Sequence, residues 1–331
     1  MPERSPVAAE DPPSGRLRRL REELDDELPG IVAQLGSPGA LLDELDYAMR
    51  PPVHEGRVPT YGAIVTPVSE PIEWESLTGI SVSHRLTRDL SNAATRRFAD
   101  GMTSWVVRRD DATTELVVFD RLVSSERDLV IASDNSGGVL VQRHPTGTVR
   151  LVGPFGVVRS TQGGWLHQPP VEGWLDAVRA CQTDEEQLLL KRLLRFAVHD
   201  LGSRRIGALL VYQTAPALSE RVEERLPAPP PLRLERPAHL APLGHVLTQV
   251  DGAAIFNGEG VLTHLGVRLV PSRRAEQAVE PIGGTRHTTA RRYSFDEPDA
   301  VVIAVSEDGP VTVFRRGELL GRSRPADSTA I

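Results

Sequence analysis

The stretch that decides the fold of this chain lies between residues 249 and 309, where short apolar runs alternate with acidic and glycine-rich turns. It reads QVDGAAIF at 249–256, GGTRHTTA at 283–290 and AVVIAVSEDG at 300–309. The apolar runs have the length of β-strands, and each lies next to a polar turn. Backbone N–H groups, hydroxyls and a guanidinium bind polyphosphates, and nearby carboxylates hold divalent metals or accept protons. These residue types predict a nucleotide site.

Length, composition and charge restrict the class of protein. The 331 residues are enough for two domains and a substantial core. A charged content of 25% and a hydrophobic content of 40% are typical of a globular protein. The formal net charge of −7 argues against nucleic-acid binding, because that function requires a basic surface.

Cysteine usage and hydropathy point to an intracellular chain. Cys181 is the single cysteine, so the chain forms no internal disulfide and no cysteine-based metal site, and we expect a buried or incidental thiol. No window approaches the ~18 apolar residues of a membrane span, and the first residues lack the apolar core of a signal peptide. We expect a cytoplasmic location without a membrane partner.

The N-terminal half is predicted to be mostly β with short helices. Residues 1–15 are rich in Pro, Ser, Ala and Glu and are expected to form a disordered tail. Leucines at helical spacing predict a helix over 17–28, and Ser37 followed by Pro38 predicts a second helix over 38–49. Some helix is also expected between 85 and 100. Short apolar runs predict strands, at 62–65, 104–107, 115–119, 128–131, 139–141 and 149–152.

The C-terminal half begins after Pro169-Pro170 in this interpretation. An amphipathic pattern predicts a helix over 184–201 that Gly202 ends. The proline-rich segment 226–232 is expected to be an extended loop. A weak helix is expected over 273–279, and 323–331 reads as a second tail. Apolar runs predict strands, at 206–212, 253–256, 261–265, 300–305 and 311–314. The predicted domains are therefore 16–170 and 171–322.

Residues ~184–320 resemble the diadenylate cyclase catalytic domain, which occurs in DNA-integrity scanning proteins and in cyclic di-AMP synthases. Asp251-Gly252-Ala253 matches the Asp-Gly-Ala motif of that family, and Gly284 to His287 matches its Gly-Thr-Arg-His motif. Gly207-Ala208-Leu209 matches its first core strand. The resemblance implies an α+β or α/β domain in which helices flank a central mixed sheet.

The resemblance also implies a reaction, the condensation of two ATP molecules into cyclic di-AMP with release of two pyrophosphates. Asp251, Arg286 and His287 would be the catalytic residues, with Asp251 near the ribose 3′-hydroxyl and Arg286 offsetting charge at the α-phosphate. Asp251, Glu307 and Asp308 would hold Mg²⁺ or Mn²⁺. The family pattern places further residues at the nucleotide: Gly252, Ala253, Leu269, Gly284, Thr285, Arg286, His287, Thr289, Ser306 and Glu307.

The implied reaction requires two copies of the domain. Each domain binds one ATP, and each ATP attacks the other, so the 3′-hydroxyl and the facing α-phosphate must approach to ~3–3.5 Å. We therefore expect a homodimer or a larger homo-oligomer, at least transiently. ATP is the expected substrate partner and cyclic di-AMP the expected product.

Two departures from the family pattern leave an alternative open. Thr288 stands where the family has a second arginine, with Arg291 and Arg292 as possible substitutes, and the segment before Asp251 is short and rich in proline where the family has helices. A non-catalytic protein that senses ATP or cyclic di-AMP is the alternative to the cyclase. A scaffold that binds another protein is a third reading. Residues 16–170 are expected to be a sensor that regulates the cyclase.

Overall fold

Two β-sheets with helices packed against them build the chain. The computed structural model describes residues 15–31, 38–67, 81–86, 92–109, 114–178, 183–215, 218–308 and 310–323. Cys181, Ser37 and nearly all of the two predicted tails lie outside these residues. Within the described ranges, none of the helices is long and apolar enough to cross a membrane.

The N-terminal sheet has eight strands in the order β2-β4-β3-β1-β5-β6-β7-β8. β1 pairs with β3 in parallel and with β5 in antiparallel orientation, so the sheet is mixed. Its strands are β1 Tyr61–Thr66, β2 Val82–Leu86, β3 Ser104–Arg109, β4 Thr114–Phe119, β5 Val139–Arg143, β6 Val149–Gly153, β7 Gly156–Thr161 and β8 Gly164–Gln168. Its helices are α1 Gly15–Glu27, α2 Pro38–Met49, α3 Asn92–Arg96 and α4 Glu126–Ser136.

The two faces of this sheet carry separate apolar cores, because side chains alternate along a strand. Ala63 packs with the leucines of α1 and α2, including Leu24 and Leu45. Its neighbour Ile64 points to the opposite face and packs with Leu129 of α4. Each fully buried Leu or Ile side chain of these cores contributes about 1.5–3 kcal/mol to folding. The predicted helices over 17–28 and 38–49 are confirmed, and so is the mostly β character of this half.

The strand predicted over 128–131 is wrong, because these residues belong to α4. The hydroxyl of Ser125 accepts a hydrogen bond from the backbone N–H of Asp128, which caps the helix, and Gly137 ends it in a left-handed conformation at φ 57°. Glu126 and Asp128 place negative charge in the first turn, where the helix dipole favours it. The three apolar residues Leu129, Val130 and Ile131 therefore belong to a helix that carries its own start and stop signals.

The C-terminal sheet is also mixed, with seven strands in the order β10-β12-β11-β9-β13-β14-β15. Its strands are β9 Ala208–Tyr212, β10 Val222–Glu223, β11 Ala253–Phe256, β12 Leu262–Leu269, β13 Val301–Val305, β14 Val311–Arg315 and β15 Glu318–Arg322. Its helices are α5 Glu172–Val178, α6 Asp184–Arg195, α7 Pro237–Val246, α8 Arg273–Ala278 and α9 Thr285–Asp296. The predicted central mixed sheet with flanking helices is confirmed.

The long amphipathic helix of this half is divided into two parts. Thr183 and Glu186 form a capping box at the start of α6. After Arg195 the helix widens into a π-helical turn, Phe196–Leu201, which is followed by a 3-10 turn, Gly202–Arg204. The apolar side of both parts is buried in the core of the C-terminal sheet. The predicted helix over 184–201 is therefore present, with a change of winding at residue 196.

A helix also occupies the segment before Asp251, although its prolines predict a short segment without one. α7 begins with Pro237 at its first position, where the missing N–H costs nothing. Pro242 lies inside it, and Leu240 and Leu243 are buried against the core. The predicted extended loop over 226–232 is confirmed, because α7 starts only at residue 237.

A polar cluster around the buried carboxylate of Glu126 joins the two halves of the chain, with Arg159 and His199 as its partners. Nδ1 of His199, in the π-helical turn, lies 2.8 Å from one carboxylate oxygen of Glu126. Nε of Arg159, on β7, donates to the other oxygen at 3.1 Å. Burial alone would raise the pKa of Glu126, but Arg159 and His199 outweigh it and lower the pKa to about 2. Glu126 is therefore ionised at neutral pH.

Candidate functional site

Sheet register brings the acidic and hydroxyl residues of the predicted site to one edge. β9 and β11 run parallel, with Ala253 opposite Leu209, so the residues before both strands lie side by side. β13 runs antiparallel to β9, with Val305 opposite Ala208, and its end therefore reaches the same edge. Asp251 and Ser306, which flank these strands, are thus close in space although 55 positions separate them in the chain.

Helix α9 begins over this edge and presents the Thr-Arg-His residues. Gly284 is its N-cap and offers no side-chain hydrogen bond, so the first N–H groups of the helix have no side-chain cap. No acidic residue lies in the first turn. Free N–H groups and the positive end of the helix dipole favour an anion at this position. Local sequence explains the start of α9, because a glycine in extended conformation precedes three polar residues.

Arg286 is held by a carboxylate in this structure. Its guanidinium donates to Glu307 at 3.0 Å, and the two side chains are 39% and 71% exposed. An exposed pair of this kind contributes only about 0–1 kcal/mol, so a phosphate can displace the carboxylate at low cost. Gly207 lies directly beneath the pair, since a Cβ there would come within 2.8 Å of Cγ of Glu307.

His287 is a neutral residue of the site at physiological pH. Burial, with the nearby charges of Arg322 and Arg286, lowers its pKa. Its ring packs edge-on against Phe314 at a centroid distance of 6.5 Å. Its Nε2 is buried and has no hydrogen-bond partner within the described part of the chain. A buried nitrogen without a partner is available to a bound group.

A cavity of about 610 Å³ gathers most of the predicted site residues. Its volume is within the range of small-molecule sites. Seven predicted residues line it: Asp251, Gly284, Thr285, Arg286, His287, Ser306 and Asp308. An adjoining cavity of about 490 Å³ shares Asp251 and Arg286 with it and is also lined by two more of the predicted residues, Gly252 and Glu307.

Three predicted residues lie outside both cavities. Ala253 is fully buried in β11, and Leu269 is buried at the end of β12, where it belongs to a core cluster. Ile282, which lines the larger cavity, packs against the same cluster. Thr289 is half-buried on α9.

Gly252 has a structural reason to be glycine. It adopts φ +117°, which other residues rarely adopt, and a Cβ there would lie 2.6 Å from the backbone of Gly266 on β12. The missing side chain therefore allows the backbone at Gly252 to pack closely against β12. Its effect on a nucleotide would be indirect, through the position of Asp251.

Comparison with known proteins assigns the two halves of the chain. Residues 195–319 match the family described as DisA bacterial checkpoint controller nucleotide-binding. Residues 195–319 are a domain of the diadenylate cyclase family. Residues 18–169 match the family described as Probable sensor domain DACNK. The resemblance stated from the motifs is confirmed by both matches.

Other comparisons add less. No curated protein matches the chain. A crystal structure described as the hypothetical membrane spanning protein from Bacillus cereus is similar at 22% identity and a TM-score of 0.32. The match covers 40% of this chain and 66% of that one, so the chain spans just under two thirds of that protein.

The diadenylate cyclase domain also contributes cavity residues that sequence reasoning missed. They come from the loop before α9, from the turn between β13 and β14 and from the β14–β15 hairpin: Ile282, Gly283, Pro310, Thr312, Leu319 and Arg322. The only signal for Pro310, Thr312 and Arg322 is their sheet position, because β14 starts and β15 ends at the edge that carries Asp251. A single sequence does not reveal that register.

The residues around the departure at Thr288 have other contacts. The hydroxyl of Thr288 lies 3.2 Å from both the backbone N–H and the carbonyl of Ile282, so it fixes the loop before α9. Arg291 donates to the carbonyls of Gly317 and Glu280. Arg292 donates to backbone carbonyls as well. Neither arginine lines the two cavities described above, so neither replaces a phosphate-binding arginine there.

The oxygen donors of the cyclase domain fit a hard divalent cation. Asp251, Ser306 and Asp308 line one cavity, and Mg²⁺ and Mn²⁺ prefer such ligands. The part of the chain that the structure describes contains no group of three or more His, Cys, Asp or Glu side chains arranged around a metal position. Mg²⁺ is usually held through one or two carboxylates together with substrate phosphates, and Asp251 and Asp308 are the carboxylates of this cavity.

Proposed function

We propose that the C-terminal domain condenses two ATP molecules into cyclic di-AMP and releases two pyrophosphates. The observation that carries the proposal is one cavity that Asp251, the N-terminus of α9 and Ser306 line together. It supplies a carboxylate, unpaired helix N–H groups and hydroxyls within a single volume. Those are the groups needed to deprotonate a ribose hydroxyl and to hold a triphosphate.

The helix side of the cavity would bind the triphosphate. Unpaired N–H groups at the start of α9 and the hydroxyls of Thr285 and Ser306 donate to phosphate oxygens. Arg286 exchanges Glu307 for the α-phosphate and offsets the negative charge that develops there during attack. Neutral His287 supplies a hydrogen bond through its buried nitrogen without adding positive charge.

Asp251 would act on the attacking hydroxyl. It takes the proton of the ribose 3′-hydroxyl of one ATP, and the resulting oxygen forms a bond to the α-phosphorus of the facing ATP. The bond from that phosphorus to the bridging oxygen breaks, and pyrophosphate leaves with the bonding electron pair. A Mg²⁺ or Mn²⁺ ion held by Asp251 and Asp308, with Glu307 available once Arg286 leaves it, would supply further charge neutralisation at the phosphates.

A second copy of the domain would complete the reaction. One cavity presents one Asp251 and one α9 N-terminus, so it serves one nucleotide, and two bond-forming steps need two nucleotides in face-to-face contact. The smaller cavity, which shares Asp251 and Arg286 with the larger one, gives the site a second open side. We propose a homodimer that brings two such sites together, in a cytoplasmic protein.

The N-terminal half would regulate this activity. Its α4 contacts the helix that leads into β9, through the Glu126 cluster and through Arg195, which donates to Asp134 at 2.6 Å. Residues 202–207 follow directly and connect that helix to Gly207 beneath Arg286. A change in the position of α4 would therefore reach the phosphate-binding arginine through a short, continuous segment.

Measurement of product formation tests the proposal. Purified protein with ATP and Mn²⁺ or Mg²⁺ should form cyclic di-AMP, at a rate that rises with the square of protein concentration when dimers are scarce. Asp251→Asn should abolish turnover and leave ATP binding largely intact. Asp299→Asn is the matched control, because Asp299 is exposed and lies outside both cavities. Full activity of the Asp251 variant would exclude the assigned proton acceptor.

A non-catalytic nucleotide sensor is the second candidate, and one observation favours it. Arg286 is already paired with Glu307, and Thr288 stabilises a loop instead of facing the cavity. Such a protein would bind ATP or cyclic di-AMP in the same cavity and transmit the event to the N-terminal half. Tight nucleotide binding without product, across several metals and protein concentrations, would favour the sensor.

A further inference from the structure

One wall of the large cavity contains a buried hydroxyl that has no hydrogen-bond partner in the described residues and no role in the proposed reaction. Thr312, near the start of β14, is 1% exposed, and its Oγ1 has no hydrogen-bond partner within the described residues. Burying a hydroxyl without a partner is unfavourable, because the group gives up its hydrogen bonds to water and gains none in return. Thr312 also lines the large cavity. A ligand atom in that cavity is therefore the natural partner for this hydroxyl.

The side chain of Arg322 lies on the neighbouring strand, next to Thr312. Thr312 and Arg322 are directly opposite each other on the antiparallel strands β14 and β15. Opposed residues project from the same face of a sheet, and both of these line the cavity. Arg322 is exposed and forms no ion pair within the described ranges, which end at residue 323. Arg286, by contrast, is occupied by Glu307.

We propose that Thr312 and Arg322 form a second phosphate-binding wall of this cavity, which holds the polyphosphate of the nucleotide together with the N-terminus of α9. The inference rests on the proposed nucleotide function and adds two residues to it. A guanidinium next to a hydroxyl donor is suited to phosphate oxygens, because the planar fork and the O–H can donate to neighbouring oxygens of one group.

Charge in the cavity supports a phosphate over the base or the sugar. The helix N-terminus, Arg286 and Arg322 contribute positive potential, and the positive charge of Arg322 also disfavours protonation of His287. Two carboxylates, Asp251 and Asp308, are the acidic residues that line the cavity. An adenine would gain little from an arginine without a counter-ion, whereas a triphosphate would neutralise it.

The affinities of the full chain for ATP and for adenosine, measured by calorimetry, show whether the two residues contact the phosphates or the nucleoside. Arg322→Gln should weaken ATP binding roughly ten- to hundredfold, the size expected for one charge-assisted hydrogen bond, and should leave adenosine binding unchanged. Thr312→Val, which keeps the volume, should weaken ATP binding by several-fold. Arg316→Gln is the matched control, because Arg316 is exposed in the same hairpin and lies outside the cavity.

Failure of the proposed function and failure of this inference would give different binding results. Absence of ATP binding by the unmodified protein would overturn the proposed function together with this inference. Unchanged ATP affinity in the Arg322 variant, with an intact wild-type response, would overturn the inference alone. Equal losses for ATP and adenosine would also overturn it, because they would assign the pair to the nucleoside or show general damage to the cavity.

Discussion

Replacing Gly207 with alanine would test whether the position of Arg286 controls catalysis. A Cβ at this position would lie 2.8 Å from Cγ of Glu307 and closer still to the Arg286 guanidinium, whereas ordinary contact begins at 3.4 Å. The Arg286–Glu307 pair must therefore withdraw by about 1 Å. A misplacement of this size in a group that orients a reacting phosphate costs on the order of a hundredfold in rate.

The same substitution should hardly affect folding. Both displaced groups belong to flexible side chains in an exposed ion pair, which contributes only about 0–1 kcal/mol. We therefore expect cyclic di-AMP formation to fall about a hundredfold, equivalent to ~2.7 kcal/mol of transition-state stabilisation, with a melting temperature within a few degrees of wild type. Quantifying product by chromatography, alongside thermal denaturation, measures both effects.

Gly258→Ala is the matched control for this experiment. Its nearest neighbour, Thr214, is 3.5 Å from the added Cβ, so the new methyl group makes only an ordinary contact. If Gly207→Ala retained wild-type kcat/KM, the placement of Arg286 would not limit the reaction. An equal loss in both variants would also refute the argument, because it would show a general effect of alanine on these turns.

Three further predictions concern stability and cofactor. Glu126→Gln should destabilise the protein by about 3 kcal/mol at pH 7 in urea denaturation, because the carboxylate has a pKa of about 2 when folded against 4.5 in its unperturbed state. This depressed pKa stabilises the fold fully above pH 4.5, and the benefit is lost as pH falls from 4.5 towards 2. Thr288→Val should lower the unfolding free energy by roughly 1–2 kcal/mol, because Ile282 loses its hydroxyl partner. Chelation of divalent cations should abolish cyclic di-AMP formation, and added Mg²⁺ or Mn²⁺ should restore it.

One specific result would contradict each of these three predictions. An unchanged acid-denaturation profile for Glu126→Gln would mean that Arg159 and His199 do not stabilise the charge. A Thr288→Ser variant keeps the hydroxyl and should remain close to wild type; loss of stability there would assign the effect to the methyl group. Full turnover in a chelator would remove the metal from the proposed reaction.

Apolar runs predicted the central strands because burial on both faces leaves few polar residues in them. β9, β11 and β13 are buried throughout, and each was predicted from its sequence. Helix α6 was predictable because its capping box and its apolar stripe are local features. The motifs also located the residues around Asp251, since register places the ends of neighbouring strands together.

The elements that sequence reasoning missed depend on contacts with the rest of the fold. Helix α9 has no strong apolar side, and its threonines are poor helix formers, so packing of Ala290 and Tyr293 against β13 and β14 stabilises it. The contribution of Thr312 and Arg322 to the cavity follows from strand pairing alone. Such pairings join residues that no local pattern connects.

The π-helical turn Phe196–Leu201 has a consequence for how a signal would travel. Such a turn holds one residue more than an α-helical turn, so rewinding it would rotate all that precedes it by about 100° relative to β9. His199 would then leave Glu126, while the strand order of both sheets stayed the same. A signal carried by this turn would thus be a rotation about the axis of α6, which moves the part of the chain before residue 196 relative to β9.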